Sequence, residues 1–190
     1  MKNLVTISAP SGAGKTTLCR ALQEQADMKF SVSCTTRDQR NYEVHGVDYY
    51  FISDAEFKER VARNEFAETE DVHGCMYGTL KEIINFAILT GDILLFEVDV
   101  KGSMSIKELY TEHTMTIFVL PPSLEHLRAR LIKRGTDSEE RIAKRLSRLE
   151  IEIGYKEKFD FTVINDDVQR ATAEIITIIN KQNKGVPHGS

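Results

Sequence analysis

Apolar residues along this chain fall into short, dense runs separated by stretches in which they recur at helical spacing. Asn3-Leu4-Val5-Thr6-Ile7-Ser8, Ile93-Leu94-Leu95-Phe96-Glu97-Val98-Asp99, Met115-Thr116-Ile117-Phe118-Val119-Leu120 and Phe161-Thr162-Val163-Ile164 are brief and nearly continuous apolar runs. Such runs predict strands buried on both faces. Helical spacing predicts a helix from Lys15 to about Gln25 and another from Thr79 to about Leu89, with Leu80, Ile83, Ile84, Ala87 and Ile88 on one stripe. A third spans Gly102–Tyr110, a fourth starts at Ser123 with Leu124, Leu127, Leu131 and Ile132 inward, and a last one buries Ala171, Ile175, Ile178 and Ile179. Phe30–Cys34 and Val47–Ile52 read as two more strands, and Asp54 as the N-cap of a helix carrying Phe57. Strands alternating with helices predict an α/β fold, a parallel sheet covered by helices on both faces, with residues from Asn41 to about Thr90 as an excursion from it.

The totals narrow the class without changing this picture. At 190 residues the chain suffices for one domain with an insertion, and 41% hydrophobic with 28% charged residues is an ordinary globular composition. A net charge of −4 gives no global electrostatic case for a nucleic-acid or membrane partner, so any anion is held by local basic clusters. Cys19, Cys34 and Cys75 are widely spaced and form no C-x-x-C pair, which reads as free thiols in a reducing compartment. With no signal-like N-terminus, the expected location is the cytoplasm. Residues 184–190 lack an apolar period and read as a flexible end.

The strongest chemistry lies between the first strand and the first helix, at Ala9-Pro-Ser-Gly-Ala-Gly-Lys-Thr-Thr-Leu18. Glycines at 12 and 14 allow successive backbone N–H groups to turn inward, and the helix N-terminus adds its dipole to the same anion site. Lys15 brings a mobile positive charge to the outer phosphates of a polyphosphate, and the Thr16 hydroxyl is placed to ligate Mg²⁺. The first glycine of the usual P-loop pattern is Ala9 here.

Basic residues cluster in two further places. Arg37 and Arg40 follow a strand end and form a fork suited to a phosphate dianion, the alternative being a solvated loop in which Arg37 pairs with Asp38 or Glu43. Tyr49 and Tyr77 can aim hydroxyls at the same phosphate or simply pack their rings. Arg130 and Arg134, then Arg141, Lys144, Arg145 and Arg148, flank a Gly-Thr break and suggest a lid over phosphates, although Glu140–Lys144 and Arg148–Glu152 pairs account for part of that charge. Asp99 ends a buried strand, where it can meet a base edge, hold a water on Mg²⁺, or cap the next helix.

S-A-P-S-G-A-G-K-T-T at 8–17, S-C-T-T-R-D-Q-R at 33–40, G-V-D-Y-Y-F at 46–51, Y-G-T at 77–79 and N-D-D at 165–167 together resemble the guanylate kinase family across about residues 3–180. The resemblance implies a P-loop core (1–34, 91–134 and 158–183), a GMP-binding segment (35–90) and a helical lid (135–157). It implies transfer of the γ-phosphoryl group of ATP to GMP or dGMP with Mg²⁺. ATP is then held by Ser11, Gly12, Ala13, Gly14, Lys15, Thr16 and Thr17, with Asn165 near adenine. The GMP phosphate falls to Ser33, Arg37, Arg40, Tyr49 and Tyr77, and guanine to Glu68, Thr79 and Asp99. Lys15, Arg40, Arg130, Arg134 and Arg145 act on the transferring group. Gln39, Tyr42 and Cys34 stand where the family usually has proline, glycine and serine, so the turn after Arg37 differs. Two rivals share the fold: a catalytically silent protein-binding module, and a kinase for another small phosphorylated acceptor. Retention of Lys15, Thr16 and the lid arginines argues against the first, and Glu68 with Thr79 against the second.

Overall fold

A strand whose residues are all apolar or small can sit only where both faces are covered, and Leu4–Ser8 (β1) is buried at every position. The computed structural model describes residues 1–10, 13–26, 28–72, 74–123, 125–127 and 151–183. After β1 come α1 (Lys15–Gln25), β2 (Lys29–Phe30), β3 (Cys34–Thr35), β4 (Tyr50–Phe51), α2 (Asp54–Ala62), β5 (Phe66–Val72), β6 (Cys75–Leu80) and α3 (Lys81–Thr90). The chain continues through β7 (Leu94–Glu97), α4 (Val100–Leu109), β8 (Thr114–Leu120), a short 3₁₀ turn (Lys156–Lys158), β9 (Phe161–Ile164) and α5 (Val168–Asn183).

The core sheet has the order β2-β7-β1-β8-β9 and is parallel throughout. Because successive side chains point to opposite faces, its apolar residues divide between two layers. Val5, Ile7, Leu95, Met115, Ile117 and Val163 pack with Leu18 and Leu22 of α1 and Ala171, Ile175 and Ile179 of α5. Leu4, Leu94 and Phe96 pack on the other side with Ile84 and Ala87 of α3 and Ile106 of α4. Among the described residues no helix is long and apolar enough to cross a membrane.

Expected elements differ from observed ones at several ends. Phe30–Cys34 is not one strand. Ser31 still donates its N–H to the Leu95 carbonyl at 2.9 Å, but Cys34 already pairs with Tyr50 and Gly78 in a second sheet. An apolar pattern cannot reveal that a strand changes partners midway. Only Tyr50–Phe51 of the expected Val47–Ile52 strand is paired as one, because the Val44 carbonyl accepts from both Val47 and Asp48 and curls the chain beforehand. Ser53, not Asp54, caps α2: its Oγ accepts from the Glu56 N–H at 3.1 Å, while Asp54 sits in the first turn beside the positive end of the helix. Thr79 and Leu80 belong to β6, so α3 starts at Lys81. Asp99 caps α4, which therefore begins at Val100 rather than Gly102. Ser123 caps as expected, accepting from His126 N at 3.1 Å, and Leu127 is buried. The lid residues 135–150 and the tail at 184–190 lie outside the described residues.

The second sheet, β4-β3-β6-β5, is mixed and has its own small core of Cys34, Phe57, Phe66 and Leu80. Phe57 and Phe66 stack with ring centroids 4.6 Å apart. Gly78 of β6 lies beneath them, where an added Cβ would come within 2.8 Å of Phe66 Cδ1 and 3.2 Å of Phe57 Cζ. Gly78→Ala is therefore expected to destabilise the protein by about 1–3 kcal/mol through overpacking. Urea unfolding of this variant beside the parent measures it.

Candidate active site

The site is built where parallel strands end. β1 and β7 pair in register with Ile7 beside Glu97, so the turn after β1 and the turn after β7 open at the same sheet edge. Ser8 ties them together: its Oγ lies 3.0 and 2.9 Å from the carbonyls of Val98 and Asp99 and 2.8 Å from Ser103 Oγ. Gly14 takes φ 90°, the left-handed conformation that glycine adopts without strain, and starts α1 directly behind it. Lys15 is thereby brought across to β7, where its ammonium donates to the Val98 carbonyl at 3.0 Å. The Thr16 hydroxyl donates to Glu97 Oε1 at 2.6 Å.

These groups form one wall of a cleft of about 790 Å³. Gly14, Lys15, Thr16, Thr17, Ser33, Arg40, Tyr49, Glu68, Tyr77 and Asp99, all expected at the site, line this single space. Ala13, Thr79 and Asn165 are buried behind it. Asn165 donates its side-chain N–H to the Ala13 carbonyl at 2.8 Å, joining the end of β9 to the turn before α1. Ser11, Gly12, Arg130, Arg134 and Arg145 lie outside the described residues.

Arg37, also expected at the site, does not line the cleft; it lies behind Glu43, Tyr49 and Tyr77, which do, and is held from several sides. Its Nη1 and Nη2 donate to the two carboxylate oxygens of Glu43 at 3.0 and 2.7 Å, its Nε to the Tyr77 hydroxyl at 3.2 Å, and Nη1 also to the Asp38 carbonyl at 2.7 Å. The Tyr49 and Phe51 rings lie 5.5 and 5.6 Å from its guanidinium carbon. Glu43 raises the Arg37 pKa, and the Arg37 fork with the Arg40 N–H lowers that of Glu43. Sequence spacing offered Glu43 only as an alternative partner in a solvated loop, yet its side chain is 6% exposed and holds the loop together. It accepts from the Arg40 N–H at 2.9 Å, while Gln39 donates to its carbonyl at 2.5 Å. Arg40 itself is exposed and donates to the Tyr42 hydroxyl at 2.9 Å, so two of the departures from the family pattern are engaged in this turn.

Deeper in the cleft, β5 and β6 place Glu68 beside Thr79, whose hydroxyl donates to Glu68 Oε1 at 2.6 Å. Burial first, then the neighbouring Asp99 and Glu70 carboxylates, push the Glu68 pKa from an ordinary 4.5 to about 7, against the lowering effect of Thr79. Asp99 accepts from the Gly102 N–H at 2.6 Å, so the capping role read as its alternative is realised while the residue still lines the cleft. Glu97 was not singled out for the site. Its only signal was an acidic residue ending a buried apolar strand. All three cysteines are free, and burial raises the pKa of Cys34 to about 11 and that of Cys19, also beside Glu97, further still. At neutral pH both are inert thiols.

One wall suited to polyphosphate and another carrying Arg40, the Tyr49 and Tyr77 side chains and the Glu68 carboxylate define a phosphotransferase that works between two nucleotides. Its family is specific. Residues 1–182 match the family model described as guanylate kinase. The chain is 45% identical over 177 residues to a guanylate kinase of Caldanaerobacter subterraneus subsp. tengcongensis, covering 93% of this chain and 85% of the relative. It is 44% identical over 178 residues to that of Porphyromonas gingivalis, covering 92% and 95%. Its fold matches the crystal structure of guanylate kinase from Anaplasma phagocytophilum with a TM-score of 0.77 and 28% identity, covering 95% and 86% of the two chains. The chain belongs to the guanylate kinase family.

The shifted Glu68 has a consequence for stability. Its folded pKa lies above the unfolded one, so between about pH 4.5 and about 7 the folded state holds a proton that the unfolded state has released. Stability contributed by this group is complete below that window and is lost as pH rises through it, by about 3 kcal/mol in all. Glu68→Gln should flatten this slope and leave the variant more stable than the parent at pH 8, as measured by unfolding across pH.

Proposed function

We infer that this chain transfers the γ-phosphoryl group of ATP to GMP, giving ADP and GDP, and that the cleft described above is where it does so. The observation that carries the acceptor assignment is the pair of half-buried Glu68 and buried Thr79, with Asp99 beside it. Guanine presents N–H donors at N1 and N2 and an acceptor at O6. A carboxylate accepts from the first two, and the Thr79 hydroxyl, whose one proton already goes to Glu68 Oε1, holds that carboxylate in place for them. Adenine has an acceptor at N1, so it would leave a half-buried carboxylate facing a lone pair, an error that costs discrimination of several orders of magnitude when the site is built on hydrogen bonds.

Phosphoryl transfer needs alignment and charge neutralisation more than proton chemistry, since the GMP phosphate is already an oxyanion nucleophile. Lys15 has three N–H donors, of which one is engaged by the Val98 carbonyl, and the others serve the β- and γ-phosphates. Ser33, Arg37, Arg40, Tyr49 and Tyr77 orient the acceptor phosphate. Arg37 sets the direction because its partners hold its plane, while Arg40, on the exposed rim, reaches towards the phosphoryl group in transit. Arg130, Arg134 and Arg145 complete the charge neutralisation, and Asn165 supports the donor side through Ala13.

Mg²⁺ suits the oxygen donors at Thr16 and Glu97, since this ion takes one or two protein oxygens and fills its remaining positions with phosphates and water. When bound, it neutralises charge on the donor phosphates. The Thr16 hydroxyl is kept in place by Glu97. The same reading covers dGMP as an acceptor, since the groups assigned to the phosphate and the base are common to both nucleotides. A cytoplasmic setting agrees with the free thiols.

The test is ADP release with ATP and Mg²⁺, offering GMP, AMP, CMP and UMP in turn. Turnover with GMP alone is expected; silence with all four from folded protein that still binds GMP would point to the silent binding module instead. Lys15→Ala should lose transfer, and Arg37→Ala should raise KM for GMP far more than KM for ATP. Turnover preserved in the lysine variant sinks the mechanism. Because guanine requires Glu68 as the carboxylate, KM for GMP should rise as pH falls below about 7, by up to about tenfold per pH unit, and initial rates between pH 5.5 and 8 measure it.

A further inference from the structure

Gly102 belongs to none of the ligand sets above, yet it touches the carboxylates that read the base. It is the third helical residue of α4, and its φ is outside the left-handed region, so no turn requires a glycine there. On helix propensity alone the position favours alanine. What excludes a side chain is the space. A Cβ at 102 would lie 3.2 Å from Asp99 Oδ1, 3.2 Å from Glu68 Oε2 and 3.3 Å from Val98 Cβ, all tighter than ordinary van der Waals contact. Two of those three atoms are carboxylate oxygens, delivered by different elements: β5, and the turn between β7 and α4.

Neither carboxylate has an easy retreat. Glu68 Oε1 accepts from Thr79 Oγ1 at 2.6 Å, and Thr79 is fully buried. Asp99 Oδ1 accepts from the N–H of Gly102 itself at 2.6 Å. A methyl group at 102 would therefore push Glu68 Oε2 by a few tenths of an ångström while its other oxygen stays tethered. That rotates the carboxylate out of the plane in which one anion can accept two parallel N–H bonds.

We propose that Gly102 is a positioning residue for guanine: its missing side chain lets the start of α4 seat directly against Glu68, so that the Glu68 and Asp99 carboxylates converge on one edge of the base. The inference rests on the guanine-reading role given to Glu68 above. Gly102 touches no reacting atom, and its effect passes through Glu68.

Gly102→Ala tests it, with steady-state kinetics for both substrates, thermal unfolding, and the same substitution made in a Glu68→Gln background. KM for GMP is expected to rise about tenfold, the size of one weakened charge-assisted hydrogen bond. KM for ATP should stay within twofold, and Tm should change little, since the better helix propensity of alanine offsets the crowding at Glu68, Asp99 and Val98. In the Glu68→Gln background the added alanine should cause no further loss, as expected of a residue acting through its neighbour. Normal GMP kinetics in Gly102→Ala beside an impaired Glu68→Gln would overturn the inference and leave the guanine-reading role standing. An equal loss in both backgrounds, or parallel losses for ATP and GMP with a lowered Tm, would overturn it as well, showing a purely structural glycine. Unimpaired GMP use in Glu68→Gln alone would remove the reading on which the inference rests, and the inference with it.

Discussion

The parallel register of β1 with β7 is the constraint on which the chemistry of this protein depends. Both strands are nearly free of polar side chains until their last residues, and both are flanked by further strands, so neither can slip by one residue without turning apolar side chains to the wrong layer. That register puts the exits of the two strands side by side. The turn carrying Lys15 and Thr16 and the turn carrying Glu97 and Asp99 thus meet at one edge, and the Ser8 hydroxyl closes the seam between them.

Much of this was legible in the sequence, because the information is local. The runs at 3–8, 93–99, 115–120 and 161–164 are dense enough to specify buried strands, and the Gly-x-Gly-Lys-Thr turn carries its own mechanism. The second sheet was harder to read. Two of its strands, β3 and β4, have only two residues each, and their pairing with one another and with β6 depends on partners far along the chain. Hydrophobic periodicity over two residues says nothing. The adjacent cap formers Ser53 and Asp54 could not be separated for a related reason: both side chains satisfy the same helix end, and backbone geometry decides between them.

The candidate site divides along the same line. Residues that face the cleft belong to short motifs and could be named from them. The partners that hold residues of the site in place are scattered: Glu43 on Arg37, Thr79 on Glu68, Asn165 on Ala13 and Glu97 beside Thr16, with Glu43 and Glu97 themselves lining the cleft. In each case a buried or half-buried polar group needs a partner, and the fold supplies it from another element. Of the two readings open for Arg37, the structure shows the ion pair with Glu43, which fixes the plane of its guanidinium.

A guanidinium has five N–H groups, and among the described residues four of those on Arg37 are engaged, by Tyr77, Asp38 and the two oxygens of Glu43. Little freedom is left for either member to change alone. A lysine in place of Arg37 could not span both Glu43 oxygens while reaching Tyr77, and a neutral residue in place of Glu43 would leave a largely enclosed cation without its counter-ion. The two positions are therefore bound by epistasis: divergence at this loop must alter 37 and 43 together.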